Sequence, residues 1–255
     1  GKHIPGNPTV IVTNMPGAGS LRAANYVYNL APKDGTAMGT VARGAAFDPL
    51  FGLPGTQFDA TKYNWIGSAN DEVSVCVAWH TSVVKNFNDL ISKELIVGGT
   101  GGSADTDQFP RVLNGVLDTK MKVIVGYPGG NDINLAMERG ELDGRYNFWT
   151  SWKSTRPDWI KSGFLRQLAY IGPAQPDLPN IPSILDLIQD PSDRSAVELV
   201  MSGARLGTPL AAPPGVARAR MDILRTAFTR TMKDPNFLAE AEKMKIEVDP
   251  VMSTD

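Results

Sequence analysis

Leu95-Ile96-Val97-Gly98-Gly99-Thr100-Gly101-Gly102-Ser103-Ala104-Asp105 is the stretch on which the reading of the fold turns. Leu95 to Val97 form a β-favouring apolar run. A glycine-rich turn follows, and Asp105 to Leu117 then has helical spacing with acidic residues in its first turn, where the helix dipole favours them. Where a strand's C-terminal end meets a helix N-terminus in this way, free backbone N–H groups and the positive end of the dipole face outward.

The same arrangement recurs on either side. Lys122 to Tyr127 reads as a strand ending in Pro128-Gly129-Gly130, with a helix from about Asn131 to Glu138. Near the start, Thr9-Val10-Ile11-Val12-Thr13 reads as a buried strand. It ends in Asn14-Met15-Pro16-Gly17-Ala18-Gly19, and Ser20 is placed to cap a helix through Leu30. With the turn at Pro32-Lys33-Asp34-Gly35 and a short strand around Ala37 to Val41, the opening is expected to be one βαβ unit. Further strands are expected at Trp65–Ser68, Val73–Trp79, Arg145–Trp149 and Leu168–Ile171. A short helix is expected at Asn86–Ile91, and two more at Gly215–Met232 and Asp234–Met244. Strands alternating with helices predict an α/β fold with mostly parallel sheets. Open sheets of that kind take ligands at the strands' carboxyl edge, and anions suit a ring of N–H donors.

Composition narrows the function. The chain has 255 residues, 42% hydrophobic and 20% charged, which is ordinary globular usage and excludes disorder. Twenty-five basic and 27 acidic residues give a net charge of -2, so the basic excess of a nucleic-acid protein is missing and no nucleic-acid partner is expected. No run of about 18 apolar residues is present to span a membrane. A single cysteine, Cys76, excludes an internal disulfide and a cysteine-built metal site, and Val75-Cys76-Val77 reads as core rather than as a nucleophile. His3 and His80 read as surface or packed histidines rather than catalytic bases. No metal, cofactor or catalytic set is expected.

One enzyme reading competes. Gly17-x-Gly19-x-x-x-Ala23 partly matches the dinucleotide fingerprint and suggests a Rossmann-type NAD(P)-binding enzyme. Arg22 occupies the third glycine position. The acidic residue that should follow is Asp34 or Asp48, and Asp34 lies in a turn rather than at a strand end.

Taken in order, several segments resemble the periplasmic solute-binding receptors of tripartite tricarboxylate transporters, the Bug or TctC-type family. Val10 to Gly19 is similar to the family's "VVENRPGAGG" segment, and Ala31-Pro32-Lys33-Asp34-Gly35-Thr36 to its "APDGYT" turn. Val84 to Ile91 resembles "PAKSLADLI", and Gly98 to Ser103 resembles "GTxGxGS". Gly126 to Gly130 stands for "VPYKGG", and Gly140-Glu141-Leu142-Asp143 for "GGQVD". Leu178 to Ser183 resembles "LPDVPT", and Ala212 to Val216 resembles "APAGTP".

The resemblance implies a type II-like periplasmic binding fold of two Rossmann-like α/β domains hinged like a clamshell. Residues 1–78 plus 203–255 would form a discontinuous first domain and 79–202 the second. It also implies a periplasmic location, a small carboxylate held largely by backbone amides, and delivery to membrane permease subunits. Family members begin with a further strand and glycine-rich loop, and end with a further helix, so about one βα unit and a helix are expected to be absent here.

On this reading Gly99, Thr100, Gly101, Gly102 and Ser103 hold a ligand carboxylate, with Tyr127, Gly129 and Asn131 approaching from the same domain. Asn14, Gly17, Ala18 and Gly19 face them, and Gly44 and Ala45 line the cleft. Arg43 and Arg145, at strand boundaries, are each candidate carboxylate partners, against the alternative of a solvated surface arginine. Trp149, Trp152 and Asn147 could flank the ligand, although packing suits the tryptophans better. A third reading, a descendant of the receptor that has lost its ligand, accompanies the shortened N-terminus.

Overall fold

The computed structural model describes residues 1–253. Its first half carries α1 (Leu21–Asn29), β1 (Gly39–Thr40), a 3-10 turn at Arg43–Phe47 and β2 (Asn64–Ser68). Next come β3 (Ser74–Trp79), α2 (Asp89–Ser92), β4 (Leu95–Gly98), α3 (Asp105–Val116), β5 (Met121–Ile124), α4 (Gly130–Glu138) and β6 (Gly144–Phe148). They are followed by α5 (Trp149–Thr155), α6 (Pro157–Lys161), β7 (Leu165–Ile171), α7 (Ile184–Leu187) and α8 (Pro191–Ser202). The chain closes with β8 (Pro209–Ala212), α9 (Arg218–Thr231), α10 (Pro235–Lys243) and β9 (Val251–Met252). No helix among the described residues is long and apolar enough to cross a membrane.

Two sheets result, ordered β1-β8-β2-β9 and β5-β4-β6-β3-β7. In the second, β4 pairs parallel with β5 and β6, while β3 pairs antiparallel with β6 and β7. All pairs of the first sheet are antiparallel. The expectation of mostly parallel sheets is therefore met only in the β5-β4-β6 portion. The chain returns from the second sheet to supply β8, and this late strand lies between β1 and β2, running opposite to both.

The opening βαβ unit is not formed. Residues 9–13 make no strand, and Ile11 and Val12 are 82% and 85% exposed. A β-favouring run becomes a strand only when another strand satisfies its backbone groups, and none does so here. Ser20 does not cap α1 with its side chain either; it sits in the left-handed region at φ 80°, not in the extended conformation usual for a capping serine.

β3 is the centre of the larger half, and all six of its residues are buried. Cys76 and Ala78 face one core with Phe109, Leu113 and Tyr146, while Val75 and Val77 face another with Ile133, Trp149, Trp152 and Trp159. Two covered faces explain why this strand reads as an unbroken apolar run. β3 belongs wholly to the second sheet. The first crossing from one sheet to the other thus lies at residues 69–73. The second crossing, residues 203–208, runs beside the first: the Ser68 hydroxyl donates to Asn70 O and accepts from Thr208 N–H.

Candidate ligand-binding cleft

The carboxyl ends of β4 and β5 converge, and the N–H of Tyr127 donates to Gly99 O at 3.2 Å. In the turn after β4 most amides are already engaged. Gly99 N–H donates to Ile124 O, Thr100 N–H to Thr106 Oγ1, and Gly101 N–H to Asp107 Oδ2. Thr100 Oγ1 also lies 3.2 Å from Thr106 Oγ1. Among the described residues no hydrogen bond uses the N–H groups of Gly102 and Ser103, just ahead of α3.

The turn before α1 meets this loop backbone to backbone. Gly19 has φ +64° and Gly101 φ +139°. A Cβ at Gly101 would lie 2.3 Å from Ala18 C, and one at Gly19 would lie 2.7 Å from Gly101 O. Only glycine at both positions permits this approach. Gly17 and Ala18 share the left-handed run, whereas Asn14 is exposed.

The 3-10 turn at Arg43–Phe47 docks on the same helix end. Arg43 is 3% exposed. Its guanidinium donates to Glu72 O at 3.0 Å, to Ser74 Oγ, and to Asp105 Oδ2 at 2.9 Å. It also stands over the rings of Phe148 and Phe109, at 4.7 and 5.5 Å. Gly44 lies against Ser103 O, while Ala45 is buried with Leu21 and Phe58 in a small core of the first half. One turn on, Asp48 accepts a 2.6 Å bond from the Ser103 hydroxyl, and both residues are fully buried. Asp48 Oδ1 has no hydrogen-bond partner among the described residues. Burial pushes the Asp48 carboxyl up to about 6, partly offset by the Ser103 bond. Burial raises Glu72 as well, against hydrogen bonds from Thr150 and Asn70.

Arg145 lies under α4, donating to Gly130 O at 2.6 Å, Asn134 Oδ1 at 3.1 Å and Tyr146 O at 3.0 Å. Burial draws its pKa down to about 10, opposed by the charge of Asp105. Gly129 is the N-cap of α4, Tyr127 is half-buried and Asn131 is exposed. Trp149 and Trp152 pack in the core, and Asn147 is half-buried.

The structure therefore brings together Gly17–Gly19, Gly44, Gly99–Ser103 and Tyr127, places Arg145 within the field of Asp105, and leaves Ala45 in a separate core. Ser74, Asp105 and Asp48 were missed as a set. Asp48 stands 55 residues from Ser103, and no spacing rule links them. A buried arginine needs an acceptor, and that requirement is the one signal that could have led from Arg43 to an acidic partner.

The remaining chemistry-bearing residues sit elsewhere. His3 Nε2 lies 2.7 Å from Asp234 Oδ2, and His80 stacks on Phe164 beside Trp79. Cys76 is buried with its thiol pushed up to about 12. The dinucleotide reading loses its frame, because no strand precedes Gly17 and the Asp34 carboxylate is taken by Thr36. No group of three or more metal-ligating side chains occurs among the described residues.

Solved structures share this fold. The periplasmic binding protein BugD superposes with a TM-score of 0.72 at 20% identity, over 94% of this chain and 77% of its own. The fold is that of a Bug-type periplasmic binding protein. Rpa4515 from R. palustris, solved with adipate, gives 0.71 at 16% identity over 96% of this chain and 79% of that one. MatC from Rhodopseudomonas palustris, solved with malate, shares the Bug-type fold with a TM-score of 0.66 at 17% identity, over 90% and 75%. No protein-family model and no curated protein matches the sequence.

Proposed function

We propose that this chain is an extracytoplasmic solute-binding receptor that captures a small carboxylate between its two sheets and delivers it to a membrane transporter. The observation that carries the reading is the pair of unused N–H groups at Gly102 and Ser103, at the mouth of α3 in a Bug-type fold. The ligands of Rpa4515 and MatC, adipate and malate, are both dicarboxylates and support the ligand class. The receptor acts by binding alone, with no chemical step, in the periplasm, and permease subunits of a tripartite transporter receive the ligand.

In this reading the two halves, 1–73 with 203–253 and 74–202, move about the paired crossings. A ligand enters when the Gly19–Gly101 contact is parted, and it is then held by the Gly102 and Ser103 amides. Asn14, Gly17, Ala18 and Gly44 approach from the first half, and Tyr127, Gly129, Asn131 and Arg145 from the second. Closure follows from contacts that only the closed form makes.

The test is thermal unfolding against a panel of mono- and dicarboxylates that includes adipate and malate, with NAD as a control. A ligand at 100 times its Kd adds about 2.7 kcal/mol. For a chain of this size that raises Tm by roughly 5–10 °C. A rise with NAD alone, or with nothing in the panel, overturns the reading.

A further inference from the structure

We propose that Arg43, Asp105, Asp48 and Ser103 form a built-in latch that holds the two halves of this chain closed without a ligand. Arg43 and Asp48 belong to the half built on the first sheet. Asp105 and Ser103 belong to the half built on the second, at the start of α3.

The contact is more than a surface ion pair. The Arg43 guanidinium is enclosed, with Phe109 and Phe148 of the second half beside it and Ser74 bridging to Asp105 through a 2.6 Å bond. Parting the halves would separate the Arg43 guanidinium from Asp105, Ser74 and the rings of Phe109 and Phe148, and buried charge pairs are costly to break by halves. The Asp48–Ser103 bond is a second, separate tie, and Ser103 O against Gly44 closes the backbone between them. A carboxylate of the protein's own, that of Asp105, thus stands on this buried arginine between the two halves. A ligand must either bind around that pair or displace Asp105 from it.

The proposal concerns the ligand-free chain and stands independently of what the cleft binds. It is tested by measuring the distance between spin labels at Lys62→Cys and Lys161→Cys, one exposed site on each half. The native thiol is buried and remains unlabelled. The latch predicts one narrow distance distribution in the parent chain without ligand. It predicts a second, longer-distance population in Asp105→Asn and in Ser103→Ala, with the closed-to-open ratio falling about tenfold in Asp105→Asn. Circular dichroism establishes that each variant is folded, and Arg43→Lys serves as a milder third variant that keeps the charge. A parent distribution that is already broad overturns the proposal. So do folded Asp105→Asn and Ser103→Ala variants whose distributions superimpose on the parent's.

Discussion

Ser74–Trp79 and Thr9–Thr13 are both short, valine-bearing apolar runs, yet every residue of the first is buried while Ile11 and Val12 stand almost bare. The difference lies in their neighbours. β3 has a strand on each side and a hydrophobic core on each face. Residues 9–13 have no strand beside them, and their backbone groups take no hydrogen bond from the described residues. Burial is a property of the assembled sheet, so one pattern of residues gives opposite outcomes in the two halves.

The sharpest way to break this comparison is to truncate a side chain in each region. Trp152 is fully buried in the second half. Trp152→Ala is expected to cost about 3–5 kcal/mol by denaturant titration, through lost burial and the cavity left behind. A cost below about 1 kcal/mol would mean that the larger half is loosely packed.

The contact between the halves should be next most sensitive. At Gly101 an alanine methyl would meet the Ala18 backbone at 2.3 Å with the backbone in the left-handed region. Gly101→Ala is expected to lose about 2 kcal/mol. Gly140, also at positive φ but with open space around it, isolates the conformational part of that cost. Equal losses at the two glycines would remove the packing argument.

A pH series sharpens the comparison further. Burial holds the Asp48 carboxyl at about 6, above the ordinary carboxylate value, so the folded form binds its proton more tightly than the unfolded form does. The resulting stability is fully present below about pH 4 and is lost as pH rises through 6. The charged groups on the elements packed there are Arg43 on the same turn and Asp105 and Asp107 on α3. Relative to Asp48→Asn, the parent chain should lose about 1–2 kcal/mol between pH 4 and pH 7. Parallel stability curves for the two proteins would place that titration elsewhere, Glu72 being the next group raised by burial. At the small end, Ile11→Ala is expected to change stability by less than about 0.5 kcal/mol, since little is buried there to lose.

The second half was the more legible one in the sequence. Its strands and α3 and α4 follow local rules: apolar runs stop at glycine turns, and acidic residues open the helices. The glycine turns at residues 17–19 and 99–103 are recognisable from sequence as turns that precede helices, and it is the resemblance that sets them facing each other; their backbone-to-backbone contact is seen only in the structure. What could not be read depends on partners distant along the chain. β8 reaches β1 and β2 only after the second half is complete, so nothing local announces the antiparallel pairing. The amides of Gly99, Thr100 and Gly101 looked free for a ligand, but Ile124, Thr106 and Asp107 take them. Asp107 had been accounted for by the helix dipole alone, yet it also folds back onto the loop that precedes it.

The bare run at residues 9–13 has a practical consequence for handling the protein. An uncharged Thr-Val-Ile-Val-Thr segment whose N–H and C=O groups have no partner among the described residues is a template onto which another chain can add in β fashion. Concentrated stocks are therefore expected to self-associate through this segment rather than through the cleft. A single lysine in place of Ile11 should slow the rise in light scattering while leaving the melting temperature almost unchanged.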